Sequence, residues 1–481
     1  MTGDPLGEIT ADSRPTGRTG LTGRTGGPAG ATGHAVVVGG GLAGLAAAVR
    51  LADSGVRVTL LEARPRLGGA THSFCRDGLV VDNGQHVFLR CYTAYQGFLR
   101  RLGTAESTTV QERFSVPVIG PGGRRGRLRR SALPAPLHLA PALLGYRMLG
   151  PVDRLRVARA ALRLRSLDPD DPALDRMGFG QWLGQHGQTP ACVGALWEPF
   201  TVSALNLPVA QASLALATKV FRTGMLTSTD AADIGFPLVS LADLHARPAQ
   251  DLLRRMGGQV VVSAKVTAVR QVREGLEVTV GDRRILADVV VLAVPHQAAA
   301  RLLPPHAVAR GASFERLSAE PIVNLHVIYD RQVTGLAFAA AVGSPVQWVF
   351  DRGHVAGMSR RDGQYLAVSL SAAGRYVDTP TARLREQFLP ALEQLFGPAR
   401  TARVRSFFVT RERRATFRQA PGSHQLRPPP VTAVPGLLLA GSWTDTGWPD
   451  VMEGAVRSGE EAARLASTHL AGTRTEAEVT R

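Results

Sequence analysis

The sequence predicts an α/β architecture of two domains, a Rossmann-type dinucleotide-binding domain and a discontinuous second domain of mixed sheet plus helices. Three observations predict it. An apolar run, a glycine-rich turn and an Ala-rich segment follow one another from residue 34. A meander of strand-like segments between residues 257 and 295 closes on another wholly apolar run. Residues 436–466 then return to the order strand, glycine, helix. At 481 residues the chain is long enough for two or three domains, and 44% hydrophobic residues supply a sizeable core.

Residues 1–33 are rich in Gly, Thr, Arg and Pro and lack an apolar run, so they read as a disordered tail without a signal peptide. HAVVV, His34 to Val38, reads as a buried strand. It runs into GGGLAG and then into the helix LAAAVRLADSG. RVTLL is the next strand and ends at Glu62, completing a unit that makes parallel sheet. Residues 115–250 differ. They hold the basic run GGRRGRLRR, the proline-broken run ALPAPLHLAPALLGYRML and helical segments through LATKVF. The meander from GGQVVV to LAVP ends in the buried strand Val289 to Val294. PIVNLHVIYD and GQYLAVSLS read as strands, and TARLREQFLPALEQLF as a helix. The dinucleotide domain therefore takes residues 34–115, 255–300 and 430–470. The second domain takes 116–254 and 301–429, and 471–481 form a flexible tail.

The formal net charge is +17, and lysine occurs only at Lys219 and Lys265, so nearly all the positive charge is arginine. An anionic membrane surface or acidic substrates suit such a charge. An arginine bias with abundant Gly and Ala also fits a GC-rich coding sequence. The basic residues are dispersed and no recognition motif accompanies them, which argues against nucleic acid. Cys75, Cys91 and Cys192 are odd in number and unpaired in spacing, as in a reducing, cytoplasmic compartment, and no Cys/His cluster suggests a metal. No apolar stretch approaches the roughly 18 residues of a spanning helix.

Gly39, Gly41 and Gly44 form GxGxxG between a strand and a helix. The first allows the tight turn, the second lets backbone approach a pyrophosphate, and the third allows close helix–strand packing. The phosphate then meets the helix N-terminus. Glu62 is placed to accept from an adenosine ribose. The motif alone does not choose between NAD and FAD. EARPRLGG adds Arg64 and a second glycine pair, Gly68 and Gly69, soon after that acid. GLLLAGSWTDTGWPDVMEGAVRSGEEAA adds a strand, a glycine and a helix start near Met452. This combination resembles the flavin-containing amine oxidase and phytoene desaturase superfamily, which implies FAD and an α+β two-domain flavoprotein. By that resemblance Arg64, Gly68, Gly69 and Ala70 belong to the cofactor site, the last three along the pyrophosphate. Backbone groups of Val266 hold the adenine, and Gly441, Ser442, Val451 and Met452 hold the ribityl and isoalloxazine portions. Many relatives have Arg in place of Ala70 and an acid in place of Ser442, so both positions lose a polar contact.

The stretch VDNGQHVFLRCY packs Asp82, Asn83, Gly84, Gln85 and His86 between apolar flanks. Asn-Gly is a common hairpin turn, but a turn does not account for Gln85 and His86. DNGQH, LWEPFTVSALNLP and the TDTGWP…MEGAVRSG segment together resemble the squalene-associated FAD-dependent desaturases, also described as hydroxysqualene dehydroxylases, over residues 34–470. The resemblance implies reductive removal of an allylic hydroxyl from hydroxysqualene, with NAD(P)H or a redox partner as the source of electrons. The alternatives are a carotenoid-type polyene desaturase or isomerase, and a flavin-binding scaffold without catalysis. For the dehydroxylation, His86 is the leading proton donor, since an imidazole carries a proton near neutrality. Asp82 would orient or charge-stabilise it, Gln85 would hold the leaving oxygen, and Asp445 is a rival acid. The plainer reading is a histidine bonded to backbone beside a simple turn. Trp443 and Trp448 could line a polyene channel or pack in the core. Trp197, Glu198 and Asn206 are wall residues or packing residues.

A thirty-carbon isoprenoid lives in lipid. GGRRGRLRRSALPAPLHLAPALLGYRML sets arginines before an apolar stretch, as a peripheral segment on the inner membrane face would. Its prolines oppose a clean spanning helix. The alternative is an ordinary subdomain helix with a solvated basic loop.

Overall fold

HAVVV is apolar on both faces, and Ala35, Val36 and Val37 are fully buried as the strand His34–Val38. It is the centre of a five-stranded sheet in a computed structural model that describes residues 33–308 and 314–479. The expectation for residues 1–32 lies outside the described residues. The strand order is Gln259–Val261, Arg57–Leu61, His34–Val38, Val289–Leu292 and Leu437–Leu439, all parallel. Val36 stands between Thr59 and Val290. Three distant stretches of chain thus build one sheet, which places the C-terminal segment beside the first glycine turn.

The helix Leu42–Asp53 covers one face together with the last helix, Met452–Val479. The two approach closely: a Cβ on Gly459 would overlap the Ala43 carbonyl oxygen. That last helix runs through residues 471–479, which the sequence reading sets aside as a tail. The antiparallel meander Val266–Val272, Gly275–Val280 and Arg283–Ala287 covers the other face.

The second domain is a seven-stranded mixed sheet. Its order is Val404–Phe417, Ala319–Tyr329, Gln364–Leu370, Trp348–Asp351, Phe338–Ala341, Ser115–Ile119 and Arg125–Arg129. Only Phe338–Ala341 with Ser115–Ile119 is parallel. The helices Pro151–Arg165, Phe179–Gln185, Glu198–Leu205 and Leu214–Phe221 bury Trp182, Trp197 and Phe221 in one core. The helix Thr381–Leu395 closes the opposite face. The basic run GGRRGRLRR contains the edge strand Arg125–Arg129, with Leu128 turned in and Arg125, Arg127 and Arg129 turned out. Charges on an edge strand keep it from pairing further. The run ALPAPLHLAPALLGYRML becomes a turn at Leu137–Leu139 and the short helix Ala140–Leu144. No helix among the described residues is long and apolar enough to cross a membrane.

Candidate active site

The first strand delivers Gly39 into a turn at φ +107°, where a Cβ would overlap the Ala293 carbonyl oxygen. A Cβ on Gly44 would overlap the Gly39 carbonyl oxygen, so strand and helix meet here only without a side chain. Gly41 lies against Gly69, and the Gly68 amide donates to the Gly40 carbonyl at 2.8 Å. The two glycine pairs form one cradle free of side chains. Gly41 caps the helix Leu42–Asp53 without a side-chain hydrogen bond, which leaves first-turn amides for an anion.

Glu62 follows the second strand. Its Oε2 accepts from the Gly40 amide at 2.7 Å and its Oε1 from the Arg64 amide at 2.8 Å. Each oxygen keeps a lone pair for a ribose hydroxyl. The Ser263 and Ala264 amides donate to the Arg64 and Glu62 carbonyls at 2.9 and 2.8 Å, which brings Val266 to the same edge. Ala70 is exposed. Arg66 Nη1 is buried without a protein hydrogen-bond partner. An uncapped helix start, a glycine cradle, a ribose acid and an orphaned guanidinium nitrogen fit a bound FAD.

The stretch VDNGQHVFLRCY leaves a hairpin of Ser73–Arg76 and Leu79–Asp82. That hairpin turns at Asp77 and Gly78, both at positive φ, and not at Asn83-Gly84. Asp82 is buried and fully engaged. Its Oδ2 accepts from Arg352 Nη2 at 2.6 Å, and its Oδ1 from Ser73 Oγ at 2.6 Å and the Leu241 amide at 3.0 Å. The orienting bond expected from Asp82 to His86 is not made, because Arg352 occupies the carboxylate. Instead His86 Nδ1 lies 3.1 Å from the Gly84 carbonyl, so Nδ1 carries the hydrogen and Nε2 stays free. Burial pushes the His86 pKa down, against the opposing pull of the Gly84 carbonyl and the Asp82 charge. A depressed pKa favours the neutral ring, contrary to the expectation of a ready proton donor. Gln85 is partly exposed beside it.

Asn83 ties the knot to both domains. Its Nδ2 donates to the Ala70 carbonyl at 2.8 Å. Its own carbonyl accepts from Asn324 Nδ2 at 3.1 Å and Thr410 Oγ1 at 2.9 Å. Thr410 continues to His326 Nε2 at 2.9 Å, and His326 Nδ1 to Tyr365 Oη at 2.6 Å.

The C-terminal segment enters with Gly441 at φ +141°. The Ser442 hydroxyl bonds the Asp450 carboxyl, and Asp450 Oδ2 accepts from the Phe417 amide at 2.7 Å. Burial drives the Asp450 pKa up, although Asp450 retains partial exposure. His86 and Tyr92 show the same combination of desolvation and partial exposure. Val451 and Met452 follow Asp450 directly, at the start of the last helix. Glu453, wholly buried, accepts from the amides of Ala94 and Tyr95 and pins that helix to Thr93–Leu102.

Asp445 does not join this cluster. Its side chain is 43% exposed, 3.8 Å from His424, and accepts from the Gly447 amide within its own turn. The carboxylate serves the tight turn that its sequence dictates. Trp443 donates to the Val294 carbonyl at 2.9 Å and packs on Phe314 and His296, so it is core. Trp448 is partly exposed and stands against Tyr92, with Lys219 and Arg457 over its ring. Trp197 bonds Gln188 within the aromatic core. Glu198 accepts from the Val209 amide, and Asn206 bridges Glu320, Thr416 and Ala372. Trp197 and Asn206 are buried in these contacts, and Glu198 is partly exposed.

Sequence reasoning missed Arg352, Asn324, Thr410 and Asp450. Only Asp450 carried a local signal, a carboxylate beside Val451 and Met452, the pair expected at the cofactor. Among the described residues no group of three His, Cys, Asp or Glu side chains suits a metal.

The flavin containing amine oxidoreductase family matches residues 42–467. The chain is 31% identical to a hydroxysqualene dehydroxylase of Rhodopseudomonas palustris, over 89% of this chain and 97% of that protein. It is 27% identical to a probable zeta-carotene desaturase of Synechococcus elongatus, over 89% and 97%. In fold it resembles the cyclohexylamine oxidase of Brevibacterium oxydans, with a TM-score of 0.63, 20% identity and 91% and 99% of the two chains covered.

Proposed function

The chain belongs to the flavin containing amine oxidoreductase family and is an FAD-dependent oxidoreductase; from that premise we propose that it removes the hydroxyl of hydroxysqualene reductively to give squalene. Bound flavin, reduced by NAD(P)H or a redox partner, supplies the hydride. The protein's own task is to make hydroxide leave as water. That needs a proton donor, a group to hold the oxygen, and shelter from bulk solvent.

The observation that carries the reading is Asp450. A carboxyl whose pKa is raised by burial and which keeps partial exposure holds its proton more readily than an ordinary carboxyl and can give it to a substrate oxygen. His86 takes the complementary part. Its free Nε2 accepts a hydrogen bond from the substrate hydroxyl, which turns the oxygen's lone pair toward Asp450. Gln85 stands beside His86 as a second partner for that oxygen. The residual allylic cation gains from the Tyr92 and Trp448 rings. The lipid substrate reaches the site from the cytoplasmic face of a membrane, on which the protein sits peripherally.

The test is anaerobic. Protein carrying reduced FAD is mixed with hydroxysqualene, flavin reoxidation is followed, and the extracted lipid is weighed by mass spectrometry. Reoxidation with squalene formed supports the reading. No reoxidation, with zeta-carotene consumed by the oxidised enzyme, would replace it with a polyene desaturase.

A further inference from the structure

Residues 113–152 carry seven arginines and no acidic residue. Within and just after this stretch the surface is unusually apolar. Of the nine large hydrophobic side chains exposed among the described residues, six fall between positions 133 and 162. Leu133 and Leu137 come from the proline-rich loop, and Leu144 ends a short helix with 70% of its surface exposed. Val152, Leu155 and Leu162 come from the helix Pro151–Arg165, at 63%, 70% and 56% exposure.

These helix positions are not scattered. Spacings of three and seven residues set them within one stripe. The same helix buries Val157, Ala160 and Leu164 on its other side. It is therefore apolar on two faces, and folding uses only one of them. Arg156, Arg159 and Arg163 flank the exposed stripe. Arg154 joins the helix to the loop, donating to the carbonyls of Tyr146 at 3.1 Å and Leu149 at 3.0 Å, and also to that of Leu144.

Beside Leu144 lies a groove of about 350 Å³ whose polar side chains are Arg125, Arg127 and Arg147. All three are exposed, and none forms an ion pair with another described residue. Two project from the edge strand Arg125–Arg129 and the third from the chain just after the short helix. Three unneutralised guanidinium groups around one groove suit a phosphate, which they can bind bidentately.

We propose that this face docks on an anionic phospholipid bilayer. The Val152, Leu155 and Leu162 stripe lies among the acyl chains, and one lipid phosphate sits in the groove of Arg125, Arg127 and Arg147. Charge complementarity selects the occupant: a basic surface whose single carboxylate, Asp153, is paired with Arg156 frames exposed leucines and matches an anionic headgroup layer above hydrocarbon. A lipid substrate gives the docking its purpose, so the inference rests on the proposed function for its meaning, but not for its test.

The experiment is vesicle flotation of the full chain loaded with FAD, on phosphatidylcholine with and without phosphatidylglycerol. Wild type floats only with the anionic vesicles. A variant with Arg125→Ala, Arg127→Ala and Arg147→Ala binds them on the order of a hundredfold more weakly, at about 1 kcal/mol per arginine. Leu155→Ser with Leu162→Ser abolishes the flotation that persists in high salt. Flavin content and melting temperature show that both variants fold. Equal binding by wild type and the arginine variant overturns the groove. Inorganic phosphate that binds wild type by calorimetry while no protein floats replaces the lipid by a soluble phosphate. No flotation, with a dimer that Leu155→Ser dissolves, replaces the bilayer by a second copy. Turnover in detergent micelles separates the two proposals: flotation without turnover sinks the dehydroxylation alone, and turnover without flotation sinks the docking face alone.

Discussion

The glycine cradle and the polar knot are neighbours in the chain, but they are built on different principles. The cradle works through backbone. Gly39, Gly41, Gly44, Gly68 and Gly69 matter for the side chains they lack, and what they pack on is backbone: Gly44 on Gly39, Gly69 on Gly41, Gly68 on Thr71 and Gly39 on Ala293. The knot works through side chains whose partners come from far away. Asp82 depends on Arg352 and on the Leu241 amide, and Asn83 on Asn324 and Thr410. A site made of backbone is written locally in the sequence. A site made of side-chain partners is assembled only by the fold.

The largest effect should come from the cradle. Gly44→Val places a side chain into the Gly39 carbonyl and forces the first helix off its strand. We expect loss of bound flavin outright, read as absent visible absorbance after reconstitution. Normal flavin content in this variant would break the account of the cradle.

Next comes the knot. Arg352→Ala leaves the buried Asp82 carboxylate unpaired. The expected loss is about 3–5 kcal/mol in denaturant unfolding. Adding Asp82→Asn should recover part of it, since the uncompensated charge then disappears. A loss under about 1 kcal/mol in the single variant would mean that the pair is not structural.

A smaller effect is expected from pH. Burial lowers the pKa values of His245 and His326 to about 3. Each is depressed below the unfolded value, so the folded state refuses a proton that the unfolded chain takes up. The resulting stability is present in full above roughly pH 6.5 and falls as pH drops toward the folded value. Unfolding curves at pH 7.5 and 5.5 should differ by on the order of 1 kcal/mol per buried histidine. A flat profile would contradict the burial of these two rings.

The smallest effect belongs to Asp445→Ala. Its carboxylate is exposed, holds its own turn and otherwise lies only 3.8 Å from the partly exposed His424. Flavin content and turnover should stay as in wild type, with stability within about 0.5 kcal/mol. A large loss of turnover would restore Asp445 as a rival acid.

How much the sequence disclosed follows from this contrast. The strand–turn–helix unit, Glu62, the meander and the C-terminal return are local patterns; the parallel sheet takes the first and last of them, and the meander forms its own antiparallel sheet on one face. The seven-stranded sheet is less readable, because its order joins residues 115–129 to residues 319–417 and no local pattern states that pairing. The edge strand Arg125–Arg129 hid within a basic run that read as part of a peripheral membrane segment or, alternatively, as a solvated loop. His86 was easy to single out, but its depressed pKa comes from burial that outweighs the Gly84 carbonyl, which its residue type does not reveal. Asp445 drew attention by composition, while Asp450, five residues on, holds the buried position. The two differ in what the fold places around them.

The proton donor is the central claim, and single-turnover kinetics reach it most directly. Reduced, FAD-loaded wild type and Asp450→Asn are mixed anaerobically with hydroxysqualene, and flavin reoxidation is timed. The account predicts that Asp450→Asn keeps its flavin and reoxidises about 100-fold more slowly or worse. Reoxidation at the wild-type rate, with squalene formed, would contradict it.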